Sequence, residues 1–354
     1  MARVVLYMAM SLDGFITGPD DDKENPAGRD GMRLMEWLGP GPTAGEFRPD
    51  SAESRIVFDE CMATGAVITG RRTGDFAGYW GGDHHDGVPI FVPAHRAPAD
   101  NPHPRVHYVT EGIAACVAQA KEAAGDRDVM MHGAYTAQEC LKAGLLGPDL
   151  AGAEDPAPAV RGEARMSGPL RLYMSMSLDG FITGPDDRKG QGLGHNGGRL
   201  FNWLDDRMSA GPSGQIFREA MATGAVIAGR RTFELADRWH GDHHDGATIH
   251  ILTHRVDDGG ELSGNTTFHS DVAACAAQAR AAAGDRAVLV HGAGAAQSLL
   301  RAGELDELEI HLVPVLLGAG RRLFGSTESA HIELELVRRL EARDVTHLRY
   351  RVAK

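Results

Sequence analysis

Cysteine is scarce: Cys61, Cys116, Cys140 and Cys275 are the four in 354 residues. None forms a C-x-x-C pair, and Cys275 stands alone in the second half. A disulfide framework is therefore excluded. Long apolar runs are missing too, so no segment approaches the roughly 18 residues of a membrane-spanning helix. Cations are in deficit, with 36 Lys and Arg against 49 Asp and Glu and a formal net charge of −13. An acidic surface repels phosphate backbones, so neither nucleic acid nor membrane is expected as a partner. A phosphate-bearing ligand must be held by local cations against that field. The opening residues, MARVVLY, enter a strand pattern at once and leave no room for a signal peptide, so a cytoplasmic protein is expected.

Hydrophobic residues at 42% and charged residues at 24% describe an ordinary globular chain, and its length suits two domains. An internal repeat divides it. MAMSLDGFITGPDDDK from Met8 returns as MSMSLDGFITGPDDRK from Met174, and MATGAVITGRRT from Met62 returns as MATGAVIAGRRT from Met221. WGGDHHDG from Trp80 returns as WHGDHHDG from Trp239, and AAGDRDVMMHGAYTAQECLKAG from Ala123 returns as AAGDRAVLVHGAGAAQSLLRAG from Ala282. The copies end differently. The second runs on through DELEIHLVPVLLGAGRRLF to VTHLRYRVAK, whereas the first falls into a stretch rich in Pro, Gly and Ala. The expected organisation is a first domain over 1–147 lacking its last strands, a linker over 148–169, and a complete second domain over 170–354. The first sheet then has an open edge, to be covered by intramolecular domain pairing or a homodimer.

In the second copy, apolar runs predict strands at 171–176, 225–228, 248–253, 287–290, 307–314 and 346–352. Helical spacing predicts helices at 198–207, 215–222, 271–283 (stopped by Gly284) and from the 291–294 turn through Arg301. Alternating strands and helices with a late antiparallel pair give an α/β fold, a mixed, mainly parallel central sheet flanked by helices, present twice.

Three strand ends suit a phosphate. In AVIAGRRT, Gly229 permits a tight turn, Arg230 and Arg231 supply fixed charge, and Thr232 is placed to cap a helix. In ILTHR, Thr253, His254 and Arg255 leave a buried strand together. In VLVHGAGAAQSLL, the small residues Gly292, Ala293, Gly294 and Ala295 let a ligand lie against a helix start. Singly, each has a plainer reading as a solvated helix start, an ordinary strand end or close helix–strand packing. Together, three phosphate-capable ends in one sheet favour a dinucleotide.

The segments SMSLDGFITG, IAGRRTFE, HILTHR, HGAGAAQSLLRAGELDEL and VPVLLGAGRRLF carry a resemblance across residues 170–354. The second copy resembles the dihydrofolate reductase fold, and within it the reductase-like family that shares the C-terminal domain of the bifunctional riboflavin-biosynthesis enzyme. The resemblance implies NADPH lying across the sheet. Ile182 and Thr183 would border the nicotinamide, and Arg230, Arg231 and Thr232 would hold the 2′-phosphate and pyrophosphate. Thr253 and His254 would flank the adenosine phosphate, and Gly292–Ala295 the pyrophosphate.

Departures from the family bear on the substrate. Dihydrofolate reductases carry a carboxylate three residues before a first-helix tryptophan; if Trp203 and Trp37 are that tryptophan, Leu200 and Leu34 occupy the acid's place, which disfavours folate. The zinc signature of a deaminase partner is absent. Asp179, with Asp13 in the first copy, is the candidate catalytic acid, equally readable as a turn residue bonding its own backbone. The Asp-His-His-Asp runs (Asp83–Asp86, Asp242–Asp245) read as flexible polar loops and not as a metal site, and Cys116 and Cys275 as core packing. Pro93-Ala94 and Tyr135 weaken the first copy as a cofactor site. The expected activity is an NADPH-dependent reductase of a small heterocyclic or carbonyl substrate, working from the second copy. The rivals are a non-catalytic cofactor-binding or scaffold protein, and a true dihydrofolate reductase.

Overall fold

The structure, a computed structural model, describes residues 2–39, 47–146, 168–255, 265–325 and 331–353. The linker expected over 148–169 lies outside the described residues except for its last two. The chain divides into two compact units, Met1–Gly152 and Ala153–Lys354.

The first unit holds five parallel strands: β1 (Val4–Leu6), β2 (Ala66–Thr69), β3 (Ile90–Pro93), β4 (Val106–Val109) and β5 (Val129–His132), in the order β1-β5-β2-β3-β4. Its helices are α1 (Ala52–Met62), α2 (Arg71–Phe76), α3 (Ile113–Ala124) and α4 (Ala134–Lys142). The central strand β2, AVIT, is a short apolar run and fully buried, as a strand covered on both faces must be.

The second unit is built on an eight-stranded sheet. Its strands are β6 (Leu170–Ser177), β8 (Ala225–Gly229), β9 (Thr248–Leu252), β10 (Thr266–His269), β11 (Val288–His291), β12 (Glu307–Val313), β14 (Leu334–Ala342) and β15 (Val345–Val352). The order is β10-β9-β8-β11-β6-β12-β15-β14, parallel through β12 and antiparallel at β12–β15 and β15–β14. Its first five strands repeat the order of the smaller sheet. A separate ribbon pairs β7 (Phe181–Thr183) with β13 (Arg321–Arg322).

Helices α5 (Pro212–Met221), α6 (Arg230–Leu235), α7 (Val272–Ala283) and α8 (Ala293–Arg301), with a 3-10 helix at Gly197–Asp206, flank this sheet. Each has a local cause. The Asp271 side chain caps α7 by accepting the Ala274 amide at 2.7 Å, and Gly284 ends it with a positive φ. Pro212 opens α5, where its missing N–H costs nothing. The expected helix at 198–207 has 3-10 geometry instead. Leu200 and Trp203 are buried on it, and the Trp203 indole donates to Ser175 Oγ at 2.9 Å. Cys116 and Cys275 are fully buried among apolar neighbours, in keeping with core packing.

Candidate functional site

β9, β8 and β11 are adjacent and parallel, and they stop together: Leu252 lies beside Gly229, and Ala228 beside His291. The segments after them, Thr253–Arg255, Gly229–Thr232 and Gly292–Ala295, therefore emerge at one carboxyl edge. That is where open α/β sheets bind ligands.

At this edge Arg230 turns toward β9. Its guanidinium donates to Thr253 Oγ1 at 3.1 Å and to the Arg255 carbonyl, and it lies 5.2 Å over the Phe268 ring. Arg231 turns the other way, to the carboxylate and carbonyl of Asp187. The two arginines, read from AVIAGRRT as fixed charge for a phosphate site, thus diverge across the edge. Thr232 is not the helix cap: α6 is capped by Gly229, and no side chain bonds its first amides. A Cβ on Gly292 would lie 2.2 Å from Thr232 Oγ1, so Thr232 instead packs on the glycine turn. His254 is exposed.

Gly292, at φ +87°, starts α8. Its amide donates to the Met174 thioether at 3.3 Å, and sulfur is a weak acceptor. Ala293 and Ala295 are buried, whereas Gly294 faces open space, with nothing within 4 Å of where its Cβ would be. The first turn of α8 therefore presents backbone donors along an unobstructed face.

β6 runs beyond β11 and delivers the Ser177–Gly180 turn. Asp179 accepts from Ser177 Oγ at 2.6 Å and from the Leu317 and Gly318 amides at 3.1 and 2.7 Å. Its carboxylate thus clamps the loop after β12 onto the turn. Ile182 and Thr183 are buried, and Thr183 Oγ1 accepts the Arg321 amide at 3.3 Å. Gly320 crosses this strand so closely that a Cβ would lie 1.9 Å from the Thr183 carbonyl oxygen.

Sequence reasoning assigned no role to Asp187, Arg321 or Arg322. Asp187 is nearly buried, between Arg231 at 3.0 Å and Arg321 at 3.4 Å, and Arg322 lies 4.7 Å over Phe181. Their signal was present in the repeated GPDDRK block and the paired arginines of GAGRRLF.

The Asp-His-His-Asp run is not a flexible polar loop. His244 is buried and His243 partly so, and their Nδ1 atoms lie 2.7 Å apart. His243 Nε2 meets His291 Nε2 at 3.1 Å, and His244 Nε2 meets Thr223. Burial, then the neighbouring imidazoles, push His243 down to about 3, and burial pushes His291 to about 4, so both rings are neutral at pH 7. Among the described residues no group of His, Cys, Asp or Glu could hold a metal ion, and no helix is long and apolar enough to cross a membrane.

The first unit keeps part of this edge. Arg71 donates to the Arg96 carbonyl and Arg72 to Asp21 at 2.8 Å, and Gly133 has φ +97°. Ala94 lacks the hydroxyl that Arg230 uses on Thr253, and Tyr135 stands 72% exposed beside the start of α4.

No curated protein matches the chain. A putative riboflavin-biosynthesis protein from Shewanella sp. PV-4 is 19% identical, with a TM-score of 0.41, over 52% of this chain and 99% of its own. Dihydrofolate reductase from Enterococcus faecalis, in complex with NADP(H), is 14% identical with a TM-score of 0.35, over 53% and 100%. The diaminohydroxyphosphoribosylaminopyrimidine deaminase/5-amino-6-(5-phosphoribosylamino)uracil reductase from Thermotoga maritima is 11% identical with a TM-score of 0.39, over 75% and 72%. The family model of the RibD C-terminal domain matches residues 169–348, just over half the chain. The chain belongs to the RibD C-terminal domain family.

Proposed function

We propose that the second unit is an NADPH-dependent reductase of a small, polarised heterocycle of the pyrimidine type, or of a comparable carbonyl compound. The observation that carries this reading is the in-register ending of β9, β8 and β11, which lines three phosphate-capable turns along one edge. The residues fit the cofactor. Gly294 leaves the first turn of α8 open, and among the described residues the Gly292 amide meets a weak thioether acceptor that a ligand phosphate would displace. Arg230 with Thr253 would hold one phosphate. Arg231, half exposed and oriented by Asp187, would hold another. Nicotinamide, when bound, supplies a hydride; this chain's part is to orient it and exclude water. The buried Ile182 and Thr183 would floor that end of the site.

Folate is disfavoured as substrate: if Trp203 is the first-helix tryptophan, Leu200 takes the acid's place, and Leu200 is fully buried in an apolar cluster. A second reading, a cofactor-binding protein without catalysis, has its own observation: the Asp179 carboxylate is engaged by two backbone amides. The first unit is proposed as a shortened copy acting as a pairing partner within the chain or across a homodimer, in the cytoplasm. Loss of NADPH absorbance on adding aminopyrimidinone or carbonyl substrates separates the readings. Substrate-dependent oxidation supports the reductase, and tight NADPH binding with no turnover across the panel supports the scaffold.

A further inference from the structure

Asp187 stands between two arginines from different parts of the fold. Arg231, at the start of α6, reaches its Oδ2 at 3.0 Å and its backbone carbonyl at 2.6 Å. Arg321, on β13, reaches the same Oδ2 through Nε and Nη2, both at 3.4 Å. The Arg321 backbone is fixed independently, because its amide donates to Thr183 Oγ1 across the β7–β13 ribbon. The Asp187 side chain is 13% exposed, whereas those of Arg231 and Arg321 are 52% and 43% exposed. One nearly buried carboxylate oxygen is thus shared by two guanidiniums that stand half in solvent.

The internal repeat supplies a comparison. In the first unit Arg72 and Asp21 form the counterpart pair, at 2.8 Å, and the first copy ends before any counterpart of the GAGRRLF segment that carries β13. The second unit therefore adds Arg321 to a pair that the first unit makes without it. Arg231 can turn to a ligand phosphate only by leaving the Asp187 carboxylate, and a nearly buried carboxylate stripped of its cation is costly. With Arg321 already on the same oxygen, the carboxylate keeps a partner through that exchange. Two guanidiniums against one carboxylate also leave a surplus positive charge beside the ends of β8 and β11, in a chain whose formal net charge is −13.

We propose that Arg321 is a positioning residue that takes over the Asp187 carboxylate when Arg231 turns to a ligand phosphate, and so makes Arg231 available to bind it. The identity of that ligand as a dinucleotide rests on the cofactor reading above. Without Arg321, Asp187 competes with the phosphate for Arg231. Removing the charge of Asp187 ends the competition, so Arg321 then has nothing left to relieve. Asp187→Asn does this while keeping the backbone carbonyl that orients Arg231. The effect of Arg321 on binding is therefore conditional on Asp187, which a residue that merely supports the ribbon, or one that touches the phosphate itself, would not show.

The test is calorimetric titration of NADPH, and separately of inorganic pyrophosphate, into the full chain as wild type, Arg321→Ala, Arg321→Lys, Asp187→Asn and the Arg321→Ala, Asp187→Asn double variant. Arg231→Ala marks the part of the binding that belongs to this site, and Arg321→Gln replaces the alanine variant if that does not fold. Expected is a roughly tenfold loss of affinity in Arg321→Ala, the scale of one charge-assisted hydrogen bond. Arg321→Lys, which keeps the charge, should bind within about threefold of the wild type. Asp187→Asn should bind at least as tightly as the wild type, and the double variant within about twofold of Asp187→Asn, the screened remainder of a distant charge. An unchanged affinity in Arg321→Ala overturns the proposal while leaving the cofactor reading in place. An equal tenfold loss in the Asp187→Asn background overturns it too, because Arg321 would then touch the phosphate directly. The expected pattern with pyrophosphate, but no NADPH binding by the wild type, supports the proposal and overturns the cofactor reading instead. Arg231-dependent binding of neither ligand overturns both.

Discussion

Two glycines in one turn separate stability from binding. Gly292 has φ +87°, and its Cβ would strike Thr232 Oγ1 at 2.2 Å, so Gly292→Ala should destabilise the chain by roughly 1–3 kcal/mol. Two residues on, a Cβ at Gly294 meets nothing. Gly294→Ala should therefore hold or raise stability by up to about 1 kcal/mol, through helix propensity, while weakening NADPH binding by filling the open face. Urea unfolding and calorimetry on both variants check this, and equal effects of the two on stability would contradict it. Asp179 is tested likewise. If it is a clamp, Asp179→Ala frees the Leu317 and Gly318 amides and costs about 1–3 kcal/mol. A catalytic acid would instead show as lost turnover with unfolding unchanged.

At the level of elements, the parallel core was legible because AVIAG and VLV are buried apolar runs and TIHIL is broken only by the buried His250. β14 was not. LELVRRLEA lies at the sheet edge, its alternation is broken by a register shift between Leu336 and Arg338, and Arg338 serves charges on other elements. Arg338 reaches Glu219 at 2.8 Å and Glu309 at 3.4 Å, and Arg349 joins both carboxylates. Burial opposes charge on Glu219, yet Arg338, Gln215 and Arg349 outweigh it and hold its carboxyl down to about 2. Glu309 is 1% exposed, so Glu309→Gln leaves Arg338 and Arg349 to share Glu219 alone and should cost about 3 kcal/mol. A denaturation midpoint unmoved by that substitution would refute the network. The histidine row was illegible for another reason. Adjacent His243 and His244 look like a polar loop until the fold brings in Thr223 and His291 from distant segments.

Over the whole molecule, acid sensitivity follows from histidine burial. Burial first, and neighbouring imidazoles second, push His84 and His243 down to about 3 and His250 to about 4; burial pushes His132 and His291 down to about 4. An unfolded histidine titrates near ~6.5, so below that pH the unfolded chain binds protons that the folded chain refuses. The stability these groups contribute is complete above ~6.5 and is lost as pH falls toward about 4 and then 3. Thermal midpoints measured from pH 7.5 to 4.5 should fall steadily, and a flat profile would contradict the buried, neutral rows. Sequence alone resolved the two-fold internal repeat and the three glycine and arginine turns. It did not resolve that Arg230 and Arg231 part company, because that depends on Thr253 and Asp187 standing on opposite sides of α6. The central claim, a dinucleotide cradle in the second unit, is tested most directly by calorimetric titration of NADPH, with NADH alongside, into the full chain and its Arg230→Ala, Arg231→Ala variant. The account predicts one NADPH site per chain, abolished in the variant; no NADPH binding by the wild-type chain would contradict it.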